Sequence, residues 1–154
     1  MLDALNSPNS YSRIAKRRLA KAINRTTDGV DSDQPKRVLV VEDTPDIRKL
    51  IKFILEDTGM QVTTLGDGLS ASEMIANWPA PDLVIMDRML PYMSGDALIQ
   101  RIRKDATWAN VPVVVVSAKA RGDEVAECLM EGADDYVTKP FSPNHFIEVV
   151  GRYV

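Results

Sequence analysis

Three carboxylates, one lysine and one serine in this chain each stand just after a short apolar run. Glu42 and Asp43 follow Val38-Leu-Val-Val, Asp87 follows an apolar run near 82–86, Ser117 closes Val-Pro-Val-Val-Val-Val, and Lys139 follows a run near 134–138. Carboxylates brought together repel one another, and the repulsion is relieved by a divalent cation or by protonation. An all-oxygen set favours magnesium, with manganese possible. Magnesium keeps several waters and takes one or two carboxylates plus phosphate oxygens. Asp43 and Asp87 suit that role, with Glu42 in reach through water and the backbone carbonyl of Met89 able to complete the set. An Asp carboxylate can also attack phosphorus in line to give an acyl phosphate. Asp87 is the candidate nucleophile, Lys139 would supply a cation to one phosphoryl oxygen, and Ser117 would give a hydrogen bond to another.

These residues meet only if the runs are parallel strands ending on one edge, and the pattern between them says they are. After the first run, Asp43 or Thr44 can cap a helix with Pro45 in its first turn. Ile47, Leu50, Ile51, Ile54 and Leu55 then recur at helical spacing until Gly59. Four further units follow, with strands near 60–65, 82–86, 111–116 and 134–138 and helices near 68–77, 94–104, 123–131 and 143–152; Gly132 sits where a helix terminator belongs. Five βα units with short connections predict an α/β fold with an open parallel sheet covered by helices on both faces. A flavodoxin-like, doubly wound five-stranded sheet in the order 2-1-3-4-5 with five helices is expected. In such sheets ligands bind beyond the carboxyl ends of the strands where the order reverses, here between the first and third strands. Asp43 and Asp87 fall at those two ends.

Taken in order, the motifs resemble the receiver domain of bacterial two-component response regulators, such as the single-domain chemotaxis regulator. The resemblance covers residues 37–153. It rests on Val-Val-Glu42-Asp43, on Asp87-Arg-Met-Leu-Pro91 with Gly95, on Ser117-Ala118-Lys119, and on Gly132-Ala-Asp-Asp-Tyr136-Val-Thr-Lys139-Pro140-Phe141. It implies that Asp87 accepts phosphate, that Glu42 and Asp43 hold magnesium, and that Ser117 and Lys139 bind the phosphoryl group. It also implies a cis Lys139–Pro140 peptide and a switch formed by Ser117 and Tyr136. A signalling role follows, in which a sensor histidine kinase or a histidine phosphotransfer protein phosphorylates Asp87. An output protein would read the state on the face of the fourth helix, fifth strand and fifth helix. No metabolic enzyme is expected, only magnesium-dependent phosphorylation and dephosphorylation of the chain itself.

The same residues also fit other folds and settings. A phosphohydrolase of the haloacid-dehalogenase type also forms an aspartyl phosphate, but it needs an acid two positions after the nucleophile, where this chain has Met89. A flavin module would bring its phosphate against acidic strand ends. A receiver detached from a larger hybrid kinase or regulator fits the linker-like segment 26–36, whereas the end at Val154, just after the fifth helix, suggests that no effector domain follows. Alone, Asp43 would read as a helix cap, Ser117 as a turn residue, Lys139 as a solvated lysine and Tyr136 as a core aromatic.

Composition sets the outer bounds. The chain has 154 residues, 45% of them hydrophobic, and a net charge of −3, which suits one domain with a tail. Residues 1–36 read as a basic N-terminal extension and polar linker, and 37–154 as the receiver domain. Residues 1–34 carry six basic against four acidic side chains, a net +2, and residues 35–154 carry 13 against 18, a net −5. Ser12 to Arg25 reads as a short helix with Ala15, Leu19, Ala22 and Ile23 on one side. It lacks interleaved aromatics, so nucleic-acid binding is not expected. The single Cys128 excludes an internal disulfide, and His145 has no companion ligands. No apolar stretch reaches the roughly 20 residues of a membrane span, and the N-terminus lacks a secretory core. A cytoplasmic protein without membrane insertion is expected.

Overall fold

The computed structural model describes residues 34–119 and 121–154. The expected helix over Ser12–Arg25, most of the extension and most of the linker lie outside the described residues. Ten elements alternate: β1 (Arg37–Val41), α1 (Pro45–Asp57), β2 (Gln61–Leu65), α2 (Gly68–Asn77), β3 (Leu83–Met86), α3 (Gly95–Lys104), β4 (Val113–Ser117), α4 (Gly122–Glu131), β5 (Asp135–Thr138) and α5 (Pro143–Val150). The strands form one parallel sheet in the order β2-β1-β3-β4-β5, the doubly wound arrangement that the sequence predicts.

The three inner strands, Val-Leu-Val-Val of β1, Leu-Val-Ile-Met of β3 and Val-Val-Val-Val of β4, are buried along their length. That is the signature of parallel strands covered on both faces. Alternate residues serve opposite cores. Leu39, Val41, Val84, Met86, Val113 and Val115 pack on Ala71 and Ile75 of α2, Leu98, Ile99 and Ile102 of α3, and Cys128 of α4. Val38, Val40, Leu83, Ile85, Val114 and Val116 pack on Ile51, Ile54 and Leu55 of α1 and on Phe146, Val149 and Val150 of α5. The edge strand β2, Gln-Val-Thr-Thr-Leu, is only half covered.

Helix ends follow side-chain chemistry. Asp67, Ser94 and Ser142 each accept a backbone N–H three residues on, at 2.7, 3.2 and 3.1 Å. For α1 the cap position falls on Thr44 rather than Asp43, with Pro45 opening the helix and no side-chain cap bond. Gly132 ends α4 at φ +128°. The last helix stops at Val150, two residues short of expectation, and Gly151 closes it. Cys128 is buried, and burial pushes its thiol up to about 12, the value of an inert small hydrophobe. His145 lies exposed on α5.

Candidate phosphoryl and metal site

The carboxyl ends of β1, β3, β4 and β5 reach one edge in register, with Val41 beside Met86 and Ser117 beside Thr138. The next residues of the chain are therefore neighbours in space. Lys139 Nζ lies 2.6 Å from Asp87 Oδ2 and 2.8 Å from Glu42 Oε2, bridging groups 52 and 97 positions away in sequence. Asp87 Oδ1 accepts the Met89 N–H at 2.9 Å. Glu42 Oε1 accepts the Thr44 N–H at 3.2 Å, and Arg48 donates to the Glu42 carbonyl at 2.9 Å.

Glu42 is 1% exposed and Asp87 is 7% exposed, while Asp43 faces solvent. Burial holds the Glu42 carboxyl above the ordinary carboxylate range, against the pull of Lys139. For Lys139 itself burial opposes the charge, but the bonds to Asp87 and Glu42 outweigh it and raise its pKa. Lys139 thus pairs with two of the three acidic side chains of the edge. Oxygens of Glu42, Asp43 and Asp87 all lie within 4.8 Å of one another, with an open side at Asp43. This donor set fits a hard divalent cation that keeps part of its water shell, and Glu42 stands in the cluster itself.

The other predicted residues are close by. The Ser117 carbonyl accepts the Lys139 N–H at 2.9 Å, and its buried hydroxyl accepts the Lys119 N–H at 3.4 Å. Tyr136 packs its ring against the α2–α4 core and donates its hydroxyl to the Lys119 carbonyl; burial raises its pKa. It is thus both a core aromatic and a polar contact to the loop after Ser117. Met89 places its N–H on Asp87, and its side chain is exposed. The Lys139–Pro140 peptide is cis. Gly95 is held against the loop after β3, since a Cβ there would lie 2.5 Å from the Asp87 carbonyl and 2.7 Å from Arg88 Cα.

Sequence reasoning missed Arg88. Its buried guanidinium donates through Nε to both oxygens of Asp96, at 3.0 and 3.1 Å, and through Nη1 to the Glu124 carbonyl at 3.0 Å. Its Nη2 lies 3.3 Å from Glu127. Arg88 thereby ties the residue after Asp87 to α3 and α4. An arginine beside an aspartate carries little signal by itself, and the Glu124 and Glu127 partners lie across a different βα unit.

A parallel sheet with an acidic, lysine-bridged cluster at its switch point defines a class of phosphoryl-accepting signalling modules. The response regulator receiver domain model matches residues 38–151, and the chain belongs to that family. It is 45% identical over 111 residues to the sensor histidine kinase TmoS of Ectopseudomonas mendocina, covering 72% of this chain and 11% of that protein. It is 39% identical over 112 residues to the phosphate regulon transcriptional regulatory protein PhoB of Escherichia coli K12, covering 73% of this chain and 48% of PhoB. The chain therefore spans about half of one relative and a small part of the other. Among solved structures, the receiver domain of sensor histidine kinase PA1611 from Pseudomonas aeruginosa PAO1 superposes with a TM-score of 0.71 at 30% identity. That match covers 78% of this chain and 98% of the other, which has a magnesium ion coordinated in its active site cleft. The receiver family is a signalling module and not a metabolic enzyme. No helix among the described residues is long and apolar enough to cross a membrane.

Proposed function

We propose that Asp87 is the phosphoacceptor of a response regulator. A histidine kinase or a histidine phosphotransfer protein is the donor. The observation that carries this reading is Lys139 Nζ held between Asp87 and Glu42 at the carboxyl edge. A carboxylate oxygen of Asp87 attacks the phosphorus in line, the new O–P bond forms, and the donor bond breaks with its electron pair leaving on the donor. Lys139 follows the transferred group, its ammonium pairing with one phosphoryl oxygen. Ser117 gives its hydroxyl to another.

Glu42, Asp43, Asp87 and the Met89 carbonyl would hold magnesium, or manganese, which when bound neutralises part of the phosphoryl charge. The same groups support loss of the phosphoryl group to water, a reaction of the chain on itself. A cytoplasmic setting belongs to this reading.

Phosphorylation shifts a pre-existing equilibrium between two conformers. Ser117 moves toward the phosphoryl group and Tyr136 turns inward, giving up the Lys119 carbonyl. The face of α4, β5 and α5 changes, and an output protein reads it. A second reading, in which the receiver serves a larger kinase or regulator, is supported by the two relatives, each of which is a longer protein. Phosphotransfer separates the proposal from a phosphatase: with magnesium and acetyl phosphate, the intact mass should rise by one phosphoryl group, and Asp87→Asn should not gain it. Undiminished gain in that variant removes Asp87 from its role, and turnover of unrelated phosphomonoesters favours the hydrolase.

A further inference from the structure

On the α2 face of the sheet, the edge strand leaves a groove. Arg37 and Leu39 of β1 share a face with Gln61, Thr63 and Leu65 of β2, and Gln61 and Thr63 are exposed where a fully packed helix would cover them. The opposite wall is one stripe of α2, Ser70, Glu73, Met74 and Asn77, closed at its end by Trp78. The groove has a volume of about 580 Å³. Trp78 is 61% exposed, in contrast to Trp108, which is fully buried and donates its indole N–H to the Trp78 carbonyl.

We propose that residues 12–25 of this same chain dock in that groove as an amphipathic segment. The described chain emerges at the groove's mouth: the Lys36 carbonyl accepts the Gln61 N–H, and Arg37, the next residue, is a lining residue held by Asp82 and Ala80. Residues 26–33 can bridge up to about 28 Å when extended, longer than the roughly 15 Å of the ten-residue α2 wall. Ala15, Leu19, Ala22 and Ile23 follow one helical stripe, the pattern by which a helix lies in an apolar groove. The basic residues that flank it face a body of net −5 over residues 35–154, while the groove's own charged lining residues, Glu73 and Arg37, balance each other. The wall helix α2 is itself joined to the loop after Asp87, since the Gly68 N–H at its start donates to the Pro91 carbonyl.

The test uses the full chain. Trp108 is shielded, so acrylamide quenching of tryptophan fluorescence reads Trp78. A full-length Leu19→Asp/Ile23→Asp variant alters only the extension, and its body should keep the wild-type far-ultraviolet circular dichroism. With a tether giving about millimolar effective concentration and a weak segment, the variant's quenching constant should rise about twofold over wild type. Thr63→Arg, on the groove floor, should give the same rise. Equal quenching in wild type and the double variant overturns the proposal. So does protection of Trp78 that disappears on dilution, because the occupant is then a second copy.

Discussion

The two ends of the sheet each hold a buried ion pair, and they are built on opposite terms. At the amino end, Arg103 meets Asp134 at 2.9 Å. The same guanidinium donates to the carbonyls of Gly132, Ala109 and Val111, while Asp134 also accepts the Val113 N–H at 2.8 Å. One cation and one carboxylate are joined and surrounded by backbone partners. At the carboxyl end, Lys139 pairs with both Glu42 and Asp87, and Asp43 offers a third carboxylate within 4.8 Å of theirs. A balanced pair fixes α3 to the starts of β4 and β5. The acidic cluster is more negative than its lysine, which draws in a divalent cation, and the cation together with Lys139 can then hold an anionic phosphoryl group.

The sharpest way to break this contrast is to cut each end and compare. Arg103→Ala should lower unfolding free energy by about 3 to 5 kcal/mol in denaturant titrations, since it strands a buried carboxylate. A loss within the range of a surface substitution would make the amino end no clamp at all. A smaller effect is expected from Gly95→Ala, whose new Cβ must push backbone at Asp87 and Arg88. Overpacking of this kind costs about 1 to 3 kcal/mol. Acetyl phosphate labelling should slow with it, whereas Arg103→Ala should label normally in its folded fraction.

Asp43→Asn takes a carboxylate from the crowded end. Magnesium affinity, measured by titration calorimetry, should fall at least about tenfold, or roughly 1.4 kcal/mol. Without metal the variant should melt no lower than wild type, the reverse of Arg103→Ala. A lower metal-free melting temperature would make Asp43 a structural residue, like those at the other end. The smallest effect belongs to Tyr136→Phe, which loses one hydroxyl bond to the Lys119 carbonyl. It should change stability by about 1 kcal/mol or less and leave labelling intact, while weakening the response of the α4–β5–α5 face in activated spectra.

The carboxyl end was legible in the sequence because every member of it follows an apolar run, so strand periodicity alone brought Glu42, Asp43, Asp87, Ser117 and Lys139 to one edge. The amino end was not. Arg103 sits on the helical face of α3 and Asp134 among turn residues, and only the packing of α3 across the sheet joins residues 31 positions apart. Arg88 escaped for the same reason, its carboxylates lying on two other elements. The choice between Asp43 and Thr44 as the cap of α1 also needed coordinates, since both residue types suit that position. In each case the pattern along the chain reports which face a residue takes, and not which side chain it meets there.

Asp87, held beside Lys139 in an acidic cluster that suits a divalent cation, is the proposed phosphoryl acceptor. Borohydride reduction converts an aspartyl phosphate to homoserine, so peptide mass mapping after treatment with acetyl phosphate and magnesium names the residue directly. The conversion should fall on Asp87 alone, at about one per chain, and vanish when magnesium is chelated. Conversion at Asp43, or at an acidic residue away from this edge, would contradict the account.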